Sequence, residues 1–236
     1  MLRLRDVGKT YSRGHTKVEA LRGVSLDVPK GQFLSIMGPS GSGKSTLLNL
    51  LGALDRPTTG TIEIGGEAIH ALDDDGLTRF RRDKIGFIFQ FFNLLPTMTA
   101  EENVMLPALL AGKSRASVQL RAAELLGQVG LGERRHHRPD ELSGGEMQRV
   151  AVARALSTEP RIILADEPTG NLDSKAGAEI LRLVRAVAAS SGVTVVMVTH
   201  DLNAAQVGDR LVRFQDGKAV ADEPALGADA PILRSA

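Results

Sequence analysis

Over the first 37 residues apolar and polar positions alternate. Leu2 and Leu4 come first, then Val24, Leu26 and Val28 interleaved with Ser25 and Asp27, then the unbroken apolar run from Phe33 to Met37. A period of two marks strands with one buried face, and the breaks between the runs read as turns. After a glycine-rich segment, the apolar run at residues 47–51 stops at Gly52, which predicts a helix ended by glycine. Short strands are predicted at 61–64 and 84–89. From about Ala100 to Leu156, Leu and Ala recur at helical spacing, and Thr99 with Glu102 fits a capping box ahead of the first helix. Residues 161–165 and 193–199 return to continuous apolar runs with β-branched side chains, the pattern of strands covered on both faces of a parallel sheet. Strands and helices flanking a helical stretch predict one α/β core, residues 1–89 and 158–220, interrupted by a helical subdomain, residues 90–157. Residues 221–236, rich in Ala, Pro and Asp, read as a loosely held tail.

Composition narrows the function classes. Of 236 residues 42% are hydrophobic, so a buried core is expected and disorder as the main state is not. The 29 basic and 28 acidic residues nearly cancel, which argues against a face built to wrap nucleic-acid phosphates; no nucleic-acid partner is expected. The chain has no cysteine, so disulfide scaffolds, cysteine-bound zinc, iron–sulfur clusters and thiol nucleophiles are excluded. The start lacks the apolar stretch of a signal peptide, and no late apolar run nears the roughly 20 residues needed to span a bilayer. The expectation is a soluble cytosolic protein.

Candidate chemistry begins at Gly38-Pro39-Ser40-Gly41-Ser42-Gly43-Lys44-Ser45-Thr46, which matches G-x-x-x-x-G-K-[ST] after an apolar strand and at the start of a helix. Glycines let backbone N–H groups curl around phosphate oxygens, and the helix N-terminus adds partial positive charge. Lys44 is placed to reach the β- and γ-phosphates and Ser45 to ligate Mg²⁺. Asp166 and Glu167 end a buried strand. Beside a phosphate loop, Asp166 would hold Mg²⁺ and Glu167 would polarise an attacking water. A third feature, Leu142-Ser143-Gly144-Gly145-Glu146, opens an apolar helix with S-x-x-E capping chemistry and two glycines that leave N–H groups open to an anion.

Leu142-Ser143-Gly144-Gly145-Glu146-Met147-Gln148-Arg149 resembles the signature of ABC-type ATPases, and the other landmarks stand in that family's order over nearly the whole chain. The resemblance implies a P-loop NTPase (RecA-like) parallel-sheet core, with an N-terminal antiparallel β subdomain and an inserted α-helical subdomain. It implies ATP and Mg²⁺ as cofactors. It also implies a head-to-tail homodimer in which Ser143, Gly144 and Gly145 meet the γ-phosphate held by the other protomer. By the same resemblance Tyr11 would stack on adenine, Gln90 would face Mg²⁺ or water, His200 would contact the γ-phosphate, and Asp173 would organise the dimer seam. Gly170-Asn171-Leu172-Asp173 stands where the family often has Ala–Leu–Asp.

The stretch from Gly86 to Val104 is similar to ATPases that pair with lipoprotein-releasing and macrolide-exporter permeases. That implies a peripheral subunit on the cytoplasmic side of the inner membrane, driving a separate integral-membrane permease. The permease would dock near the apolar run Phe91, Phe92, Leu94 and Leu95. The alternative is a regulatory ATPase of the same family that controls a cell-envelope hydrolase through a membrane partner. Arg134-Arg135-His136-His137-Arg138 reads as a solvated loop, and Asp73-Asp74-Asp75 as a helix start.

Overall fold

The N-terminal alternation folds into an antiparallel sheet. Strands β1 (Leu2–Arg13) and β2 (Thr16–Val28) pair, β3 (Phe33–Met37) leaves for a second sheet, and β4 (Thr59–Ile64) and β5 (Glu67–Ala68) complete the order β2-β1-β4-β5. Register explains the sidedness. Leu2 faces Val28 and Ile64, and Leu4 faces Leu26 and Ile62, all buried. Arg3, one residue out of phase, faces Asp27 and Glu63 on the outer side. The computed structural model describes residues 1–14 and 16–225.

The second sheet adds β6 (Ile85–Phe89), β7 (Ile162–Asp166), β8 (Thr194–Thr199), β9 (Arg210–Gln215) and β10 (Lys218–Pro224), in the order β10-β9-β3-β8-β7-β6. Its strands are parallel except β10, which pairs antiparallel with β9. The central β8 is buried at every position, as its continuous apolar sequence requires. Residues 221–224 correct the expected tail: they belong to β10, and Asp222 and Glu223 pair with Arg210 and Arg213 across the ladder. An edge strand exposes its polar side chains, so it carries no burial pattern for a sequence reading to find. Residues 226–236 of that expected tail lie outside the described residues.

Helix α1 (Lys44–Leu51) packs Leu47, Leu48, Leu50 and Leu51 between the two sheets and stops at Gly52. Helix α2 (Asp74–Lys84) starts as expected, with the Asp73 side chain accepting from the Gly76 N–H. The helical insert holds α3 (Ala100–Leu110), α4 (Arg115–Gln128) and α5 (Gly144–Leu156), packed through Val104, Ala108, Ala122, Leu125 and Val150. The Thr99–Glu102 capping box is formed, and the carbonyls of His137 and Arg135 accept from the next two N–H groups, Ala100 and Glu101. The exposed basic run thus serves α3 through its backbone. Helices α6 (Ser174–Ser191) and α7 (Leu202–Ala205) follow β7 and β8.

Candidate functional site

The phosphate-loop segment lies between the C-terminus of β3 and the first turn of α1, as its sequence context requires. Gly43 has φ 102°, and a Cβ there would approach the Ala20 carbonyl to 2.6 Å, so only glycine closes this turn. Lys44 folds back along the loop, its Nζ donating to the carbonyls of Gly38 at 2.7 Å and Pro39 at 2.9 Å. Ser40, Gly41, Gly43, Lys44, Ser45 and Thr46 line one side of a cavity of about 520 Å³ that Asp166 and Glu167 also enter. Gly38 and Ser42 support the loop from behind. The Ser42 carbonyl accepts from the Gly217 N–H, and its buried hydroxyl has no partner.

The opposite wall was not legible in the sequence. Val18, Glu19, Ala20 and Arg22 of β2 and the turn residues Asp216 and Gly217 form it, joined by an Arg22 N–H to Gly217 carbonyl bond of 2.9 Å. Tyr11 lies outside the cavity lining. Its hydroxyl donates to Asp55 at 2.9 Å, and the Lys9 ammonium sits 4.8 Å from the ring centroid. Val18, its partner across the β1–β2 ladder, lines the cavity with Ala20 as its apolar surface.

Asp166 and Glu167 come from the end of β7. Glu167 has φ 46°, its N–H donates to the Val198 carbonyl at 3.0 Å, and its carboxylate is held at both oxygens. Oε2 accepts from Thr199 Oγ1 at 3.0 Å, and Oε1 lies 2.7 Å from His200 Nδ1. Burial, then the neighbouring Glu167 charge, pushes the Asp166 carboxyl up, and Lys44 opposes the shift. Two adjacent carboxyls in a half-buried site, with Ser45 across from them, form a donor set that a hard divalent cation fits. Among the described residues no group of three or more His, Asp or Glu forms a metal cage, so such an ion would complete its shell with phosphate and water oxygens.

The glycine pair at the start of α5 faces elsewhere. Ser143 caps the helix by accepting from the Glu146 N–H, and the Glu146 carboxylate accepts from the Ser143 N–H at 2.9 Å and hydroxyl at 2.8 Å. Those backbone and hydroxyl bonds hold the Glu146 carboxyl below its ordinary range. Ser143, Gly144 and Gly145 line a second cavity of about 530 Å³ together with Arg149, Asn171 and Asp173. No residue lines both this cavity and the phosphate-loop cavity. Asp173 also caps α6, accepting from the N–H groups of Lys175 and Ala176. Gln90 is not in the phosphate-loop lining; its Nε2 donates to Asn171 Oδ1 at 3.3 Å, and Asn171 Nδ2 returns a bond to the Gln90 carbonyl at 3.0 Å.

The run after Gln90 divides. Phe91 is 71% exposed and Leu95 41%, while Leu94 packs against the insert core and the Phe92 ring lies over Gly144. Phe92 and Asn93 turn through φ 59° and 50°, and Arg154 from the end of α5 donates to both their carbonyls. Burial pushes the Arg154 pKa down. An apolar groove of about 710 Å³ lies alongside, lined by Leu54, Phe87, Phe89, Leu106, Pro107 and Leu110. Of residues 91–95 only Asn93 lines it; most of the wall comes from α2, β6, α3 and the end of α5. Thr199 and Arg154 are site-supporting residues without a sequence signal of their own; Gln148 and Asn171 fall inside recognised motifs, but their supporting contacts do not show in the sequence.

Among the described residues no helix is long and apolar enough to cross a membrane. Residues 21–170 match the family model described as ABC transporter. The chain is 50% identical over 222 residues to the lipoprotein-releasing system ATP-binding protein LolD of Geobacter metallireducens, covering 94% of this chain and 99% of that one. It is 48% identical over 231 residues to the macrolide export ATP-binding/permease protein MacB of Marinobacter nauticus, covering 98% of this chain but only 35% of that relative. The dimeric structure of the ATP-binding cassette MJ0796 from Methanocaldococcus jannaschii, a post-hydrolysis state bound to ADP and Pi, superposes with TM-score 0.86 at 48% identity and covers 95% of this chain and 98% of that one. The family match over residues 21–170 and these relatives show that the chain belongs to the ABC transporter family as an ATP-binding subunit.

Proposed function

We propose that the chain binds and hydrolyses ATP in a head-to-tail homodimer and drives a separate integral-membrane permease of the lipoprotein-release or macrolide-export kind. The observation that carries the hydrolysis is the Glu167 carboxylate, fixed by Thr199 and His200 at the rim of the phosphate-loop cavity. Lys44 and the loop N–H groups bind the phosphates; Val18 supplies apolar surface on the base side, and Tyr11, its ladder partner just outside the cavity lining, would extend it. Glu167 accepts a proton from water as the water oxygen bonds to the γ-phosphorus; the bond from that phosphorus to the bridging oxygen breaks, leaving ADP and phosphate. Mg²⁺ held by Ser45 and Asp166 would neutralise charge on the phosphate oxygens, with Gln90 reaching the ion or water only after leaving Asn171.

The separation of the two cavities supports dimerisation. With no lining residue in common, Ser143, Gly144 and Gly145 complete the phosphate site of a second copy rather than their own. The relative MJ0796 is dimeric with ADP and Pi, which supports this arrangement. The permease segment would dock near residues 91–95, whose Asn93 lines the apolar groove beside β6 and α3 and whose Phe91 and Leu95 are exposed. The signature cavity gives the test. Mixing a Lys44→Ala chain with a Gly144→Asp chain puts both lesions into one composite site and leaves the other intact. ATPase activity absent from either variant alone should return in the mixture. Full hydrolysis at dilutions where only monomer exists would overturn the composite site.

A further inference from the structure

Gln148 is fully buried in the second turn of α5, yet none of the chemistry above uses it. Its Nε2 donates to the Pro168 carbonyl at 2.6 Å and to the Phe89 carbonyl at 3.3 Å. Both partners are acceptors, which sets the orientation of the side-chain amide: the NH₂ group must face them, and Oε1 must face away. Oε1 is buried there with no donor. A buried amide oxygen without a partner lowers stability, and what offsets it is the hold of the NH₂ group on the two carbonyls.

What the amide holds gives it a use. Pro168 directly follows Glu167, and Phe89 directly precedes Gln90. Glu167 sits at φ 46°, a backbone conformation that a non-glycine residue keeps only when its surroundings hold it there. On its N-terminal side the restraint is its own N–H on the Val198 carbonyl. On its C-terminal side the next carbonyl is tied to Gln148. One side chain from the signature helix therefore fixes the chain after Glu167 and before Gln90.

We propose that Gln148 is a positioning residue for ATP hydrolysis. By anchoring the Pro168 and Phe89 carbonyls to α5, it keeps the Glu167 carboxylate aligned between Thr199, His200 and the attacking water. It touches neither nucleotide nor water. The proposal rests on Glu167 acting as the water-polarising group, and the experiment separates the two.

Steady-state ATP hydrolysis, ATP binding and thermal unfolding are measured for Gln148→Met, Gln148→Asn, Glu167→Gln and the double variant Glu167→Gln/Gln148→Met. Gln148→Met should lower kcat roughly 10- to 100-fold, the scale of a small misplacement of a catalytic group. KM and ATP affinity should change by less than about threefold, because ground-state binding is untouched. Gln148→Asn keeps the amide but is one methylene short of Pro168, and it should show the same split. In the Glu167→Gln background, Gln148→Met should cost less than about threefold in single-turnover hydrolysis, since the group it positions is gone.

An equal loss in both backgrounds overturns the proposal, as does a loss of affinity at unchanged kcat. A collapsed melting temperature in both Gln148 variants, with activity tracking the folded fraction, makes Gln148 a structural residue and also overturns it. An inactive Glu167→Gln beside a fully active Gln148→Met defeats this inference alone. Near-normal turnover in Glu167→Gln defeats the hydrolysis reading, and the inference falls with it.

Discussion

Replacing Glu167 with glutamine removes a proton acceptor and changes almost nothing else. The carboxylate accepts from Thr199 Oγ1 at 3.0 Å and lies 2.7 Å from His200 Nδ1. A glutamine carbonyl oxygen still accepts from the threonine hydroxyl, and its NH₂ group then faces the imidazole, which can present the unprotonated nitrogen instead. Both contacts survive as neutral hydrogen bonds. Their net worth falls from about 1.5–3 to about 0.5–1.5 kcal/mol each. The His200 side chain is 69% exposed, so water screens most of that difference at its end. The expected loss of stability is about 1 kcal/mol, or roughly 2–4 °C in Tm for a chain of this size. The catalytic loss is of another order: a general base contributes ~10²–10⁴-fold, about 2.7–5.4 kcal/mol of barrier. Glu167→Gln should therefore bind ATP with Mg²⁺, melt close to wild type and accumulate as a dimer on a sizing column. Its phosphate release should fall by at least ~100-fold. Turnover within about threefold of wild type would refute the assignment, and so would a loss of ATP binding that accounts for the lost activity.

Lys44→Ala should instead lose nucleotide affinity, because it removes the charge at the β/γ-phosphates and frees the carbonyls of Gly38 and Pro39; a fluorescent ATP analogue measures it. Because Ser143 holds the Glu146 carboxyl below its ordinary range, the stability it adds is fully present above the unfolded-state pKa and is lost as pH falls through the lower folded value. Urea midpoints from about pH 6 to about pH 3 should show wild type and Glu146→Gln converging at the acid end, and Ser143→Ala should cost about 1 kcal/mol near neutrality. At the groove, Leu110 is 66% exposed, so Leu110→Ser should leave the melt within about 0.5 kcal/mol of wild type while weakening capture by permease-containing membranes. Phe92→Ser, which opens a gap over Gly144, should lower Tm; membrane capture unaffected by Leu110→Ser would remove the groove from the docking role.

What could be read from the sequence was whatever short range determines. Lys44 follows a glycine turn because only glycine takes φ 102° against the Ala20 carbonyl, and that requirement is written in the motif itself. The Thr99–Glu102 and Ser143–Glu146 boxes close over three residues, so their sequences suffice. Val18 and Arg22 reach the phosphate-loop cavity only because β2 folds over the loop and pairs with the Gly217 turn, nearly 200 residues away along the chain. Tyr11 stood out as the single tyrosine, but its hydroxyl is spent on Asp55, a contact that nothing near Tyr11 in sequence foretells. Residues 91–95 read as one apolar run, yet two successive left-handed residues turn Phe92 and Leu94 inward and leave Phe91 and Leu95 outside. Periodicity cannot register such a turn, because no glycine announces it.

Those two left-handed residues lead back to α5. The helix rises about 1.5 Å per residue, so its 13 residues span roughly 20 Å and carry lining residues of both the second cavity and the apolar groove on one element. Gly144 and Gly145 present its N-terminus to the second cavity. One turn on, Gln148 holds the carbonyls beside Glu167 and Gln90. Near the other end Arg154 holds the Phe92–Asn93 turn and itself lines the apolar groove. Each attachment is a side-chain donor on a backbone carbonyl, which depends on position and not on the identity of the residue that supplies the carbonyl. Displacement of this helix by an occupied signature end cannot be confined to that end, since a three-turn helix has no break at which to absorb it. Under the proposed composite site the glycines that made α5 recognisable would meet the nucleotide of the other copy, while Gln148 and Arg154 tie the same helix to the carbonyls of Phe89 and Pro168 and of Phe92 and Asn93.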